Sequence, residues 1–130
     1  MIAWEEIERA EVPDGEEEVI LRKRGTEFSI RVSATELMNS RSHGSEDALA
    51  ELTCSRISRK RGRKILIGGL GMGYTLAAAL QHSGDDSLIT VAELIPAVIR
   101  WNREHLGHLA GNPLADGRVF VRQEDVAKTI

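Results

Sequence analysis

The chain has 130 residues, 42% hydrophobic and 28% charged, a length that predicts one ordinary globular core rather than two independent ones. No apolar run is long enough to span a bilayer, and the opening MIAWEE lacks the basic-then-apolar order of a signal peptide, which together predict a cytoplasmic protein. Cys54 is the single cysteine, so an internal disulfide or a cysteine-based metal cluster is excluded in one chain. The net charge of -3 conceals an uneven layout, with eight acids in residues 5–18 and six bases in residues 56–64.

In chain order, an acidic stretch containing Pro13-Asp14-Gly15 predicts a turn before the first strand. Residues 18–32 place two β-leaning runs, EVILRK and EFSIRV, around Arg24-Gly25-Thr26. The second run alternates Phe28, Ile30 and Val32 with polar Ser29 and Arg31, so the pair predicts a β-hairpin with one buried face. Ser45, Glu46 and Asp47 form a helix-start signal, followed by an apolar stripe of Ala48, Leu49, Leu52 and Ile57. A linking helix is expected over 45–56, ending in the basic connector SRKRGRK.

From Lys64 the pattern becomes alternating. ILI predicts a strand, the glycines of GGLGMG a turn, and TLAAAL a helix that stops at Ser83-Gly84. A second strand over 88–92 ends at Glu93, and Pro96 suits the first position of a helix carrying Val98, Ile99, Trp101 or Asn102, Leu106 and Leu109 to a core before Gly111-Asn112-Pro113. A third strand over 118–122 leads to Glu124-Asp125. The fold class is therefore α/β, an N-terminal β-hairpin and linking helix followed by a βαβαβ half of a doubly wound sheet with right-handed crossovers. The expected organisation is a hairpin region over 1–44, the helix and connector over 45–63, and a nucleotide-binding part over 64–130.

A turn at the carboxyl end of a parallel strand needs residues without Cβ, both for unusual backbone angles and for close approach of a ligand. Gly69, Gly71 and Gly73 meet that need with the spacing G-x-G-x-G. The dinucleotide fingerprint is G-x-G-x-x-G, and it would require glycine at Tyr74 or Leu76. A pyrophosphate needs the helix N-terminus laid open, whereas a sulfonium nucleoside carries no phosphate and suits a differently shaped loop. A purely structural tight turn is the plain alternative. Glu93, twenty residues after Gly73, is placed to accept both hydroxyl hydrogens of a ribose, with an exposed strand-end acid as its alternative. Asp125 is positioned either to accept from an adenine amino group or to cap a helix beginning at Val126.

The runs ILIGGLGMGYTL, ITVAELIPAVI and DGRVFVRQEDV resemble the first half of the spermidine synthase family, and the hairpin followed by NSRSHGSEDALAEL resembles that family's N-terminal β-domain and linking helix. The resemblance covers nearly the whole chain. It implies the Rossmann-like class I methyltransferase fold and a transferase of polyamine biosynthesis, or a methyltransferase relative. It also implies S-adenosylmethionine or decarboxylated S-adenosylmethionine as cofactor, held by Gly69, Gly71 and Gly73, with Glu93 on the ribose and Asp125 on the adenine. Glu46 and Glu51 match acidic positions of the linking helix near the active-site mouth.

Departures from the pattern matter as much. Where aminopropyltransferases of the family usually read GGGDGG, Met72 replaces the acid that would counter a cationic amine. Ile95 replaces a frequent aspartate, and Leu49 and Ala50 replace a frequent tyrosine and histidine. The family's catalytic aspartate follows a fourth strand beyond residue 130, so the catalytic residue is unknown. The expectation is a cofactor-binding part of a longer enzyme, or one completed by a partner, inactive alone. The alternative is a non-catalytic nucleotide-binding or oligomerisation module, since a first strand without its outer neighbour leaves bare backbone and predicts a homo-oligomer.

Other signals are weaker. His43 in Ser42-His43-Gly44 is an acid-base candidate or a plain loop histidine, and Tyr74, directly after the glycines, is the aromatic placed to border a substrate pocket. His82, His105 and His108 suit helix ends and faces, so no metal site is expected. The basic cluster 56–64 contains no aromatic residue to stack bases, and the reading is a solvated connector with a small-molecule substrate rather than nucleic acid.

Overall fold

The computed structural model describes residues 2–41, 44, 48–49 and 63–129. The chain divides into two compact units, Met1–His43 and Gly44–Ile130, where length alone predicted a single core. Each has its own buried apolar residues. The linking helix expected over 45–56 falls outside the described residues, apart from Ala48 and Leu49.

The first unit is a four-stranded antiparallel meander, β1 (Glu5–Glu11), β2 (Glu18–Arg24), β3 (Glu27–Val32) and β4 (Thr35–Asn39), in the order β1-β2-β3-β4. The expected hairpin is its centre, with Arg24 opposite Glu27 across a two-residue turn in which Gly25 takes φ 60°. Val19, Leu21, Phe28 and Ile30 form the buried face. The two outer strands extend the hairpin prediction. β1 reads EEIERAE and lies in the acid-rich stretch where no strand was expected before the turn; charge on an edge strand is how a sheet avoids pairing with strangers. The Pro13-Asp14-Gly15 turn closes β1 onto β2, with the Gly15 amide donating to the Val12 carbonyl at 3.1 Å.

The second unit contains a three-stranded parallel sheet of β5 (Lys64–Gly68), β6 (Leu88–Ala92) and β7 (Val119–Arg122), ordered β5-β6-β7. Helix α1 (Tyr74–His82) connects β5 to β6, and α2 (Pro96–Trp101) begins the link from β6 to β7. The strand order steps twice in the same direction, so right-handed crossovers put α1 and α2 on one face. That face is dry: Ile67, Ile89 and Val91 from the strands and Leu76, Leu80, Val98, Ile99 and Trp101 from the helices are all buried. The opposite face carries Leu66, Leu88 and Phe120, which are 40%, 44% and 54% exposed.

The second helix differs from the sequence expectation in form. It is α-helical only to Trp101, widens into a π turn over Asn102–Leu106 and tightens into a 3-10 turn over Gly107–Ala110. Gly107 is the reason the chain can fold back there: a Cβ would lie 2.5 Å from Asn112 Oδ1 and 2.8 Å from the Asn102 carbonyl. A last short helix, α3 (Val126–Thr129), follows β7. No helix among the described residues is long and apolar enough to cross a membrane.

Candidate functional site

Parallel register aligns the carboxyl ends of the three strands, with Gly68 opposite Ala92 and Ala92 opposite Arg122. The next residue of each strand continues the alignment, since Gly69 N–H donates to the Ala92 carbonyl at 2.7 Å and Glu93 N–H to the Arg122 carbonyl at 2.9 Å. The glycine turn, Glu93 and the segment leading to Asp125 therefore emerge along one edge of the sheet. In open parallel α/β sheets that edge is where ligands bind.

Gly69, Gly71 and Gly73 all adopt positive φ, at 94°, 55° and 86°. At Gly69 a Cβ would meet nothing within 4 Å, so its requirement is purely conformational and the space beside it is open. Gly73 is the N-cap of α1, and a Cβ there would lie 3.2 Å from both Asn102 Oδ1 and Pro113 Cγ. The Gly73 amide closes the turn by donating to the Leu70 carbonyl at 2.9 Å.

Glu93 is 8% exposed, and both its oxygens are engaged. Oε1 accepts the Leu70 amide at 2.9 Å and Oε2 accepts the Ile95 amide at 3.0 Å. Each carboxylate oxygen has two lone pairs, so each retains one acceptor position after these bonds. The second bond satisfies the backbone amide of Ile95, the N-cap residue of α2, which makes no side-chain cap of its own.

Asp125 caps α3, its Oδ1 accepting the Ala127 amide at 2.9 Å. That was one of its two sequence readings; Oδ2 has no hydrogen bond among the described residues. Met72 is 2% exposed, with its thioether packed into the core. Tyr74 is half-buried in the first turn of α1. His43, Glu46 and Glu51 lie outside the described residues.

Asn102 is the residue that sequence reasoning underrated, having appeared only as an alternative to Trp101 on the core face. Its Nδ2 donates to the Gly71 carbonyl at 2.7 Å and to the Val98 carbonyl at 2.8 Å, tying the π turn to the glycine turn. At the opposite, amino-terminal edge, Arg118 makes a bidentate pair with Asp116 at 2.9 and 3.0 Å and donates to the Ser83 and Gly84 carbonyls at 3.2 Å. These bonds from the Arg118 side chain, with its backbone amide, hold the Asp116 carboxyl below its ordinary range.

The second unit is thus a Rossmann-like α/β unit with a glycine-rich turn at the carboxyl edge of its parallel sheet. Solved structures that this chain resembles in fold include spermidine synthases. A spermidine synthase in complex with the transition state analogue AdoDATO matches 95% of this chain at 15% identity and a TM-score of 0.73, as does the Thermotoga maritima spermidine synthase. A probable spermidine synthase from Corynebacterium glutamicum ATCC 13032 matches 96% at 14% identity and a TM-score of 0.56. The chain spans 42% of the length of the first two structures and 46% of the third. No protein-family model matches the chain, and no curated protein matches it in sequence.

Proposed function

We propose that this chain is the adenosyl-cofactor-binding part of a spermidine-synthase-like transferase, taking S-adenosylmethionine or decarboxylated S-adenosylmethionine. The observation that carries the reading is the joining of three positive-φ glycines to the Glu93 carboxylate at the carboxyl edge of a parallel sheet. In this reading the Gly69–Gly73 turn supports the nucleoside, Glu93 uses its two remaining acceptor positions on the ribose hydroxyls, and Asp125 receives the adenine amino group on Oδ2.

The cofactor, when bound, supplies an electrophilic carbon on a sulfonium centre. The protein's part is to orient a nucleophile in line with that carbon, and such positioning supplies much of the rate in transfers of this kind. Methyl transfer fits better than aminopropyl transfer, because a buried Met72 thioether offers a cationic amine no counter-charge. The acceptor is a small molecule, a polyamine or another nucleophile, rather than nucleic acid, and the setting is cytoplasmic. Residues 1–44 form the β-region, 45–63 the linker and 64–130 the cofactor part.

Calorimetric titration with S-adenosylmethionine, its decarboxylated form, methylthioadenosine and NAD tests the reading, repeated on Glu93→Ala. Adenosyl ligands bind the parent, NAD does not, and the variant loses affinity. Absence of adenosyl binding, or equal binding by Glu93→Ala, overturns the assignment.

A second reading, a non-catalytic module that self-associates, is favoured by the half-exposed Leu66, Leu88 and Phe120 on one sheet face. Parallel sheets are ordinarily covered on both faces. Among the described residues β5 also pairs only with β6.

A further inference from the structure

The glycine turn is held from two sides. From the strand side Glu93 takes the Leu70 amide, and from the helix side Asn102 takes the Gly71 carbonyl. Both hydrogens of the Asn102 amide are used, one on Gly71 and one on Val98 within its own helix, so the side chain is a fixed bridge. Asn102 is 4% exposed, and its Oδ1 has no hydrogen-bond partner among the described residues. A buried acceptor without a partner is costly, about 1–3 kcal/mol. An aliphatic residue would avoid that cost at a core position, so packing alone does not account for a carboxamide there.

The surroundings are cut to fit it. Gly73 brings the turn so close that a Cβ would lie 3.2 Å from Asn102 Oδ1, and Gly107 lets the chain pass where a Cβ would lie 2.8 Å from the Asn102 carbonyl. The π turn beginning at Asn102 is itself a departure from regular helix, and such turns occur frequently at functional sites.

We propose that Asn102 is a positioning residue for the adenosyl ligand, fixing the Gly71 carbonyl so that the turn is held in its ligand-receiving shape before binding. The inference rests on the proposed cofactor site. Asn102 touches no reacting atom; it acts through the Gly71 peptide, and a turn that is already ordered loses less conformational freedom when ligand arrives.

The test uses the full chain with Asn102→Asp and Asn102→Ala, titrated with S-adenosylmethionine and methylthioadenosine between about pH 8 and pH 5.5, each affinity divided by the parent's at the same pH. An ionised carboxylate repels the Gly71 carbonyl, whereas a protonated one donates a single hydrogen bond back to it. Burial favours that neutral form. Asn102→Asp is therefore ~10-fold weaker than the parent at high pH and recovers to within ~3-fold at low pH, while Asn102→Ala stays weak throughout. Arg118→Ala, which loosens the far edge of the sheet, lowers stability and leaves affinity at the parent level. Recovery with falling pH separates positioning from mere stabilisation.

The proposal is overturned if the parent binds and both variants bind within ~2-fold of it, or if Asn102→Asp shows no more recovery than Asn102→Ala. Amide hydrogen exchange in the ligand-free protein keeps the two hypotheses apart. Should the parent bind neither probe, the cofactor assignment falls on its own, and exchange at Gly71, Met72 and Gly73 decides about Asn102. Exchange there ~10-fold faster in Asn102→Ala than in the parent, with the rest of the sheet unaltered, supports the grip, and unchanged exchange refutes it. If Asn102→Asp fails to fold, Asn102→Ala and its exchange pattern carry the decision.

Discussion

Glu93 Oε1 accepts the backbone amide of Leu70 at 2.9 Å across the gap between two parallel strands. The residue read as a ribose acceptor is thereby also a structural pin of the glycine turn. Its removal has two separable consequences. Glu93→Gln keeps the shape but offers an NH2 to one of two backbone amides, leaving a buried donor unpaired. Urea unfolding of the second unit should show a loss of about 1–3 kcal/mol, and adenosyl affinity should fall as well. A variant that loses affinity at unchanged stability contradicts the pinning role.

The glycines of the turn make unequal demands. Gly69→Ala strains a φ of 94° but fills open space, so its cost is about 1–2 kcal/mol. Gly73→Ala adds crowding against Asn102 and Pro113 at 3.2 Å to a φ of 86° and should cost about 2–4 kcal/mol. Thermal melts of the two variants check the order, and a Gly69→Ala protein less stable than Gly73→Ala would contradict it.

The Asp116–Arg118 pair predicts an acid dependence. The folded carboxyl titrates below its unfolded value because the Arg118 side chain and then its backbone amide donate to it. Stability from this pair is therefore fully present above the unfolded value, about 4, and is lost as pH falls through the lower folded value. Urea midpoints of the parent should drop between about pH 5 and pH 2. Asp116→Asn should start lower at neutral pH and fall less over that window; parallel curves would show that the pair is not responsible.

Leu66, Leu88 and Phe120 predict association through the exposed part of their sheet face. Light scattering behind size exclusion should find the chain self-associated, and Phe120→Glu should shift it toward monomer. A parent chain that is monomeric at high concentration argues against an interface there.

Much of this architecture was legible in the sequence because its cues are local. ILIGG and LITVA announce buried parallel strands, Pro96 starts a helix and positive-φ positions select glycine. Glu93 could be placed at a strand end from spacing alone. The outer strands β1 and β4 were not legible: EEIERAE and TELMN draw their order from pairing with a central hairpin, and pairing leaves little trace in composition. Residue patterns also established that the turn departs from the dinucleotide spacing. Only tertiary structure decided which atoms hold it, since the grip of Asn102 on Gly71 joins residues 31 positions apart and depends on a helix that widens at one place. A carboxamide on a core-facing stripe reads as an imperfection until the fold brings a carbonyl to meet it.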